Sequence, residues 1–212
     1  MQIRFLGHAA FAVELAGARL CLDPHKPGAL GGRFQLPEIQ GPFDAIVHSH
    51  RHEDHAAWTP ALGTTRVAEP PCCVGSVQLD ARAAFHDAQQ GLQMGMVRML
   101  ELRGEGLRIV HSGDLGAWTA SDVEWLRGCD VLLLAAGGTY TLDPAQAAEL
   151  ARQVGARAVV PMHMADPRVA VRLRPVEEYL AAWAGPSRRA AALDGALWQE
   201  LDQSTAIILD YP

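Results

Sequence analysis

His48-Ser49-His50-Arg51-His52-Glu53-Asp54-His55 follows the short apolar run Ala45-Ile46-Val47. Four histidines and an aspartate in eight residues do not help a chain fold by burial. Clustering imidazoles and a carboxylate in an apolar interior is costly unless something pairs with them. A bound cation is the simplest partner, and this donor set suits zinc, manganese, iron or nickel. On a continuous strand, alternation would put Asp54 on the face of His50 and His52, and His55 on the other. The pattern His50-x-His52-x-Asp54-His55 therefore implies a strand end followed by a sharp turn. It also favours two adjacent cations over one, with His50 and His52 at one point and Asp54 and His55 at a neighbouring one.

The rest of the chain is what such a site needs around it. Its 212 residues suffice for one domain with a real core. Apolar residues make up 49 % and charged residues 20 %, an ordinary globular balance with no sign of disorder. The formal net charge of -6 argues against a general nucleic-acid binder, which would present a basic face. No basic region with an apolar segment and small-residue cleavage site opens the chain, so a cytoplasmic location is expected. No apolar run is long enough to span a bilayer. Cys21, Cys72, Cys73 and Cys129 form no Cys-x-x-Cys pair and read as reduced, mostly buried thiols.

Hairpins dominate the first half. A strand is expected at Ile3 to Leu6, then a hairpin of Phe11 to Leu15 and Arg19 to Leu22 around Gly17. A glycine- and proline-rich loop runs from His25 to Phe43, a length usual in functional covers. One or two helical turns are expected within Glu53 to Leu62, with Trp58 packing inward, and a strand at Thr64 to Ala68. Ala81 to Phe85 reads as strand or short helix. A second hairpin pairs Met96 to Leu102 with Leu107 to His111. Strand-helix alternation follows. Helices are expected from Thr119, from Asp143-Pro144 to Val154 and from Pro175 to Trp183, with strands at Val131 to Leu134, Ala158 to Val160 and Ala206 to Leu209. The result is a mixed α/β or α+β domain, sheet at the centre and helices outside, in one unit spanning 1–212.

His50-x-His52-x-Asp54-His55 resembles the ligand signature of the metallo-β-lactamase fold hydrolases. The likeness extends to Gly7-His8-Ala9, Leu22-Asp23-Pro24, Phe85-His86-Asp87, His111-Ser112-Gly113-Asp114 and Val160-Pro161-Met162-His163. The order is similar to the branch of L-ascorbate-6-phosphate lactonase. The resemblance implies a four-layer αββα sandwich with the site at one edge, between two sheets. It implies that His50, His52 and His86 hold one metal, that Asp54, His55 and His163 hold a second, and that Asp114 bridges both with a water or hydroxide. Zinc is the leading expectation, with manganese, iron or nickel as alternatives.

Two divalent ions sharing a hydroxide supply a nucleophile at neutral pH, so no serine or cysteine nucleophile is required. The expected function is a dinuclear metal-dependent hydrolase acting on a small ester, lactone or phosphoester. Alternatives are a phosphodiesterase or nuclease, and a non-catalytic metal-binding interaction protein on the same fold. Asp54, Asp114 and His111 are the candidate catalytic residues, Asp54 orienting the nucleophile and His111 supporting the ligands or lining the pocket. His48 falls outside the signature, on the opposite strand face. His8 and Asp23 are expected near the site without being ligands, Asp23 accepting a hydrogen bond from a ligand histidine. His25 and Arg33 are candidates for meeting an anionic substrate. The expected partner is a small molecule, without nucleic acid or membrane; a homo-oligomer stays open, favoured by any exposed apolar face.

Overall fold

The computed structural model describes residues 1–211. In chain order, β1 (Gln2–Gly7), β2 (Ala10–Leu15), β3 (Ala18–Leu22) and the short turn α1 (Ala29–Gly32) lead to β4 (Ala45–Val47). Then come β5 (Cys72–Val74), β6 (Val77–Phe85), β7 (Met96–Gly104), β8 (Leu107–His111), α2 (Ala120–Leu126), β9 (Val131–Ala135) and α3 (Pro144–Val154). The chain closes with β10 (Ala158–Met162), α4 (Val176–Trp183), β11 (Ser187–Ala190), β12 (Leu193–Asp194), α5 (Gly195–Glu200) and β13 (Thr205–Leu209).

The strands form two sheets, one ordered β12-β1-β2-β3-β4 and the other β11-β13-β10-β9-β8-β7-β6-β5. The main core lies between them, with Phe11, Val13, Leu20 and Val47 meeting Leu100, Leu102, Leu133 and Val160. Alternation along each strand sends the other residues outward. Leu132, Leu134 and Val159 accordingly pack beneath α2, α3 and α4 through Val123, Leu150, Tyr179 and Trp183. The outer face of the smaller sheet is covered by Ile39, Phe43 and Leu62, from the long loop and a 3₁₀ turn at Pro60–Leu62. The whole is the αββα sandwich.

Local chemistry explains the elements. Ala16 and Gly17 have positive φ in the first hairpin, and Glu105 and Gly106 in the second. Thr119 and Asp143 both close capping boxes, and Pro144 opens α3. Two expectations are corrected. Thr64 to Ala68 is no strand; Val67 makes one isolated bridge to Ile46. Trp58 is half exposed instead of packed inward, because its indole N–H donates to the Thr64 carbonyl. Of Glu53 to Leu62, only Pro60–Leu62 is helical, as a single 3₁₀ turn. Ala81 to Phe85 resolves as strand, paired along its length with β7.

The arrangement positions one feature. His8, Asp23, the histidine-rich stretch, His86, Asp114 and His163 follow the C-terminal ends of β1, β3, β4, β6, β8 and β10. Three of those strands belong to each sheet, so all the side chains meet at one edge of the sandwich.

Candidate metal centre

Asp114 Oδ2 is the convergence point. The Nε2 atoms of His55, His163, His86 and His50 lie 3.1, 3.3, 3.6 and 3.9 Å from it. Around this atom the donors fall into two main groups. His50, His52 and His86 form one; His8, Asp54, His55 and His163 form the other, and within each the donor atoms lie within 4.8 Å of one another. The first and second triads expected from the sequence are thus each brought together, with Asp114 between them and His8 added to the second.

The partners of the opposite ring nitrogens decide which lone pairs are free. Asp23 Oδ2 lies 3.1 Å from His55 Nδ1 and accepts from the Ser49 hydroxyl at 2.5 Å, while Oδ1 accepts from the Ser49 N–H at 2.6 Å. Because that hydroxyl donates to Asp23, the Nδ1–H of His50, 2.8 Å away, is left to donate to Ser49 Oγ. His86 Nδ1 faces the Tyr140 carbonyl at 3.2 Å. In each case the arrangement fixes Nδ1 as donor and turns Nε2 toward the cluster, the orientation a metal ligand requires. His86 Nε2 and His52 Nδ1 face each other at 3.0 Å, two nitrogens aimed at a common point.

Burial tests whether cations fit. His50 Nε2, His55 Nε2 and Asp114 Oδ1 are buried with no hydrogen-bond partner, as are both ring nitrogens of His8 and Nδ1 of His163. Orphaned buried polar atoms are costly, and a divalent ion at each group would satisfy those that face it. Charge tells the same story. Burial, reinforced by His163, pushes His8 down to about 3; burial and His55 push His50 down to about 3, so both are neutral. Burial alone would raise the Asp114 carboxyl, but His163 and His55 outweigh it and hold it well below the usual range. Burial also opposes charge on His55, yet Asp114, Asp23 and Asp54 push it well above its ordinary value. A proton on His55 is what balances three carboxylates here, and a cation would displace it.

The backbone is strained at this edge. His8, Asp23 and His163 all have positive φ, at 57°, 42° and 57°, a region disfavoured for residues with a Cβ. Gly113, at φ 54°, is required as glycine: an added Cβ would stand 2.5 Å from Val97 Cγ2 and 2.8 Å from Ser49 Cβ.

Not every candidate joins the site. His111 is fully buried, its Nε2 2.9 Å from the Ala9 carbonyl and its Nδ1 accepting from the Gly113 N–H. It does not line the cavity above the cluster. The expectation of a catalytic part for His111 is therefore not supported by its placement; it braces the turn that carries Asp114. His48 turns away, its Nδ1 3.1 Å from the His55 carbonyl. His25 faces the Pro37 carbonyl, whereas Arg33 does line the cavity. Asp23 takes the bracing role expected of it. His8 sits closer than expected, its Nε2 3.3 Å from Asp54 Oδ2. Asp87, which the sequence did not single out, accepts from the N–H groups of Gln89, Gly91, Gln93 and Met94 and so holds the 87–95 loop over the site.

Fold and site together define a metal-binding domain of the metallo-β-lactamase type. Residues 2–163 match the β-lactamase superfamily domain, and the chain belongs to that family. A UPF0173 metal-dependent hydrolase of Pyrobaculum aerophilum is 32 % identical over 192 residues, covering 77 % of this chain and 84 % of that protein. Among solved structures, a proposed Zn-dependent hydrolase of the metallo-β-lactamase superfamily from Thermotoga maritima superposes with a TM-score of 0.73 at 27 % identity, covering 99 % of this chain and 98 % of that one. The metallo hydrolase Igni18 of Ignicoccus hospitalis, at 20 % identity and a TM-score of 0.67, shares the fold over 100 % of this chain and 95 % of its own.

Proposed function

We propose that the protein is a dinuclear metal-dependent hydrolase of a small ester, lactone or phosphoester. The observation that carries the proposal is the convergence of four imidazole Nε2 atoms within 3.9 Å of one carboxylate oxygen, Asp114 Oδ2. His50, His52 and His86 would hold one ion, Asp54, His55 and His163 the other, and Asp114 both. Bound there, two divalent ions supply Lewis acidity and lower the pKa of an attacking water to near neutrality.

The side chains fix the remaining roles. Burial would raise the Asp54 carboxyl, but His8 and His55 outweigh it and keep it ionised, as at Asp114. Both carboxylates are therefore ionised and suited to holding cations, and neither can serve as the acid. His8 orients Asp54 through the 3.3 Å contact at Oδ2. Ser49 and Ser112 are not available as nucleophiles: both are buried, with their hydroxyls donated to Asp23 and to the Gly113 carbonyl. Cys129 is likewise buried, its thiol pushed up to about 12 by that burial. Leu30, Met94, Tyr140 and Val171 line the cavity of about 440 Å³ that the metal residues also face.

Lactone hydrolysis within this class rests on the order of sequence motifs alone. Zinc is the expected metal, and the ligand set also suits manganese, iron and nickel. The decisive experiment is metal analysis of protein purified without added metal, then a panel of lactones, phosphodiesters and thioesters on that sample. Two equivalents of metal and turnover on one substrate class support the reading. Two equivalents with no turnover on any class would favour a metal-binding interaction protein.

A further inference from the structure

Two arginines overlook the metal residues with nothing to neutralise them. Arg33 and Arg172 line the same cavity as His52, His86, Asp114 and His163. Their backbones are anchored: the Arg33 carbonyl accepts from the Ala170 N–H at 2.8 Å, Phe34 bridges Val169, and the Thr139 hydroxyl donates to the Arg172 carbonyl. Their side chains are exposed. Elsewhere arginines are engaged, as Arg82 is with Asp122, Arg98 with Glu69, Arg108 with Glu101 and Arg174 with Glu178. Among the described residues, only Arg4, Arg33, Arg51 and Arg172 have a guanidinium with no ion pair, hydrogen bond or ring partner, and two of these four share this one cavity.

The carboxylates facing the same space are already committed. Glu53 is held by Lys26 at 3.2 Å and by the Leu30 N–H at 2.9 Å. Asp54 and Asp114 belong to the histidine cluster. Arg172 also lines a second cavity, whose carboxylates Asp143 and Glu178 are likewise taken, by the cap of α3 and by Arg174, so no acidic group remains for either guanidinium in a chain whose net charge is -6. Two unpaired cationic forks above a site built for divalent cations repel one another unless an anion enters between them. The same cavity also has apolar lining, from Leu30, Met94, Tyr140 and Val171.

We propose that the cavity takes an amphipathic anion: a carboxylate or phosphate received by Arg33 and Arg172, on an apolar stem lying against Leu30, Met94, Tyr140 and Val171. That its other end carries the scissile bond rests on the hydrolase reading; the anion site itself does not. Anions carrying a hexyl-length stem are the probes. Zinc-loaded full-length protein is titrated calorimetrically with hexanoate, hexyl phosphate and hexanol, alongside an Arg33→Gln/Arg172→Gln variant whose melting temperature is checked against wild type.

Wild type should bind at least one anion about tenfold more tightly than hexanol, and the variant should lose that advantage. A loss confined to hexyl phosphate assigns the site to phosphate, and one confined to hexanoate assigns it to carboxylate. Undiminished anion binding in the variant would place the anions on the metals and overturn the proposal, as would a wild type with no preference over hexanol. If no ester, lactone or phosphoester is turned over while the arginine-dependent binding persists, the hydrolase reading fails and the anion site stands.

Discussion

The two ligand groups meet at Asp114 but are supported differently. The group of His8, Asp54, His55 and His163 is buried apart from the edge of Asp54, and Asp23 stands behind His55 with three of its own hydrogen bonds. The group of His50, His52 and His86 includes the half-buried His52, whose Nδ1 meets only the His86 ring. Asp23 backs the first group directly at His55 and the second only at one remove, through Ser49 to His50, while His52 has no such support. Depth and bracing, more than the number of donors, should therefore decide how firmly each ion is held.

The largest effect should come where the groups join. Asp114→Ala should lower kcat/KM on the order of 10³-fold and reduce metal content at both groups. A variant retaining two metals and full activity would remove Asp114 from the bridging position. Next, Asp23→Ala should weaken metal affinity by about 10- to 100-fold in the deep group, which it touches directly at His55, and less in the outer group, which it reaches only through Ser49 and His50. Competition titration with a chromogenic chelator resolves the two, and equal weakening of both would erase the contrast. Stepwise chelation of wild type should release the outer ion first, with affinities about tenfold or more apart; His52→Ala should then purify with close to one equivalent. Simultaneous release would show the two groups to be equivalent. Smallest on function, Gly113→Ala should cost about 1–3 kcal/mol of stability through its contacts with Val97 and Ser49, seen as a lower melting temperature. An unchanged melting temperature would mean that the turn relaxes freely.

Legibility in the sequence followed locality. Hairpins with glycine turns and helices with capping boxes declare themselves within four residues, so β2, β3, β7, β8, α2 and α3 fell where the pattern put them. The candidate ligands came from the His50 to His55 spacing together with the family resemblance, and the structure brings all seven side chains together. What escaped depends on contacts distant in sequence. Nothing local says that both nitrogens of His111 are spent on Ala9 and Gly113, or that His8 will reach Asp54. The one available hint for His8 was Gly7 before it, a residue suited to the positive φ it adopts at 107°. Residues 188–196 carry no single periodicity, because they change sheets: β11 adds to the larger sheet beside β13, and β12 to the smaller beside β1. Arg172 and Tyr140 line the cavity from loops whose approach no short pattern encodes.

The ligands are divided between the sheets, His50, His52, Asp54 and His55 after β4 and His86, Asp114 and His163 after β6, β8 and β10. Neither half of the sandwich can assemble either group alone, so an ion captured here acts as a proofreader of folding. A chain whose two sheets have docked out of register offers scattered histidines and gains little from metal. A correctly docked chain gains the full binding free energy, which adds directly to its stability. Metal supply during synthesis would then set the yield of native protein as well as its activity.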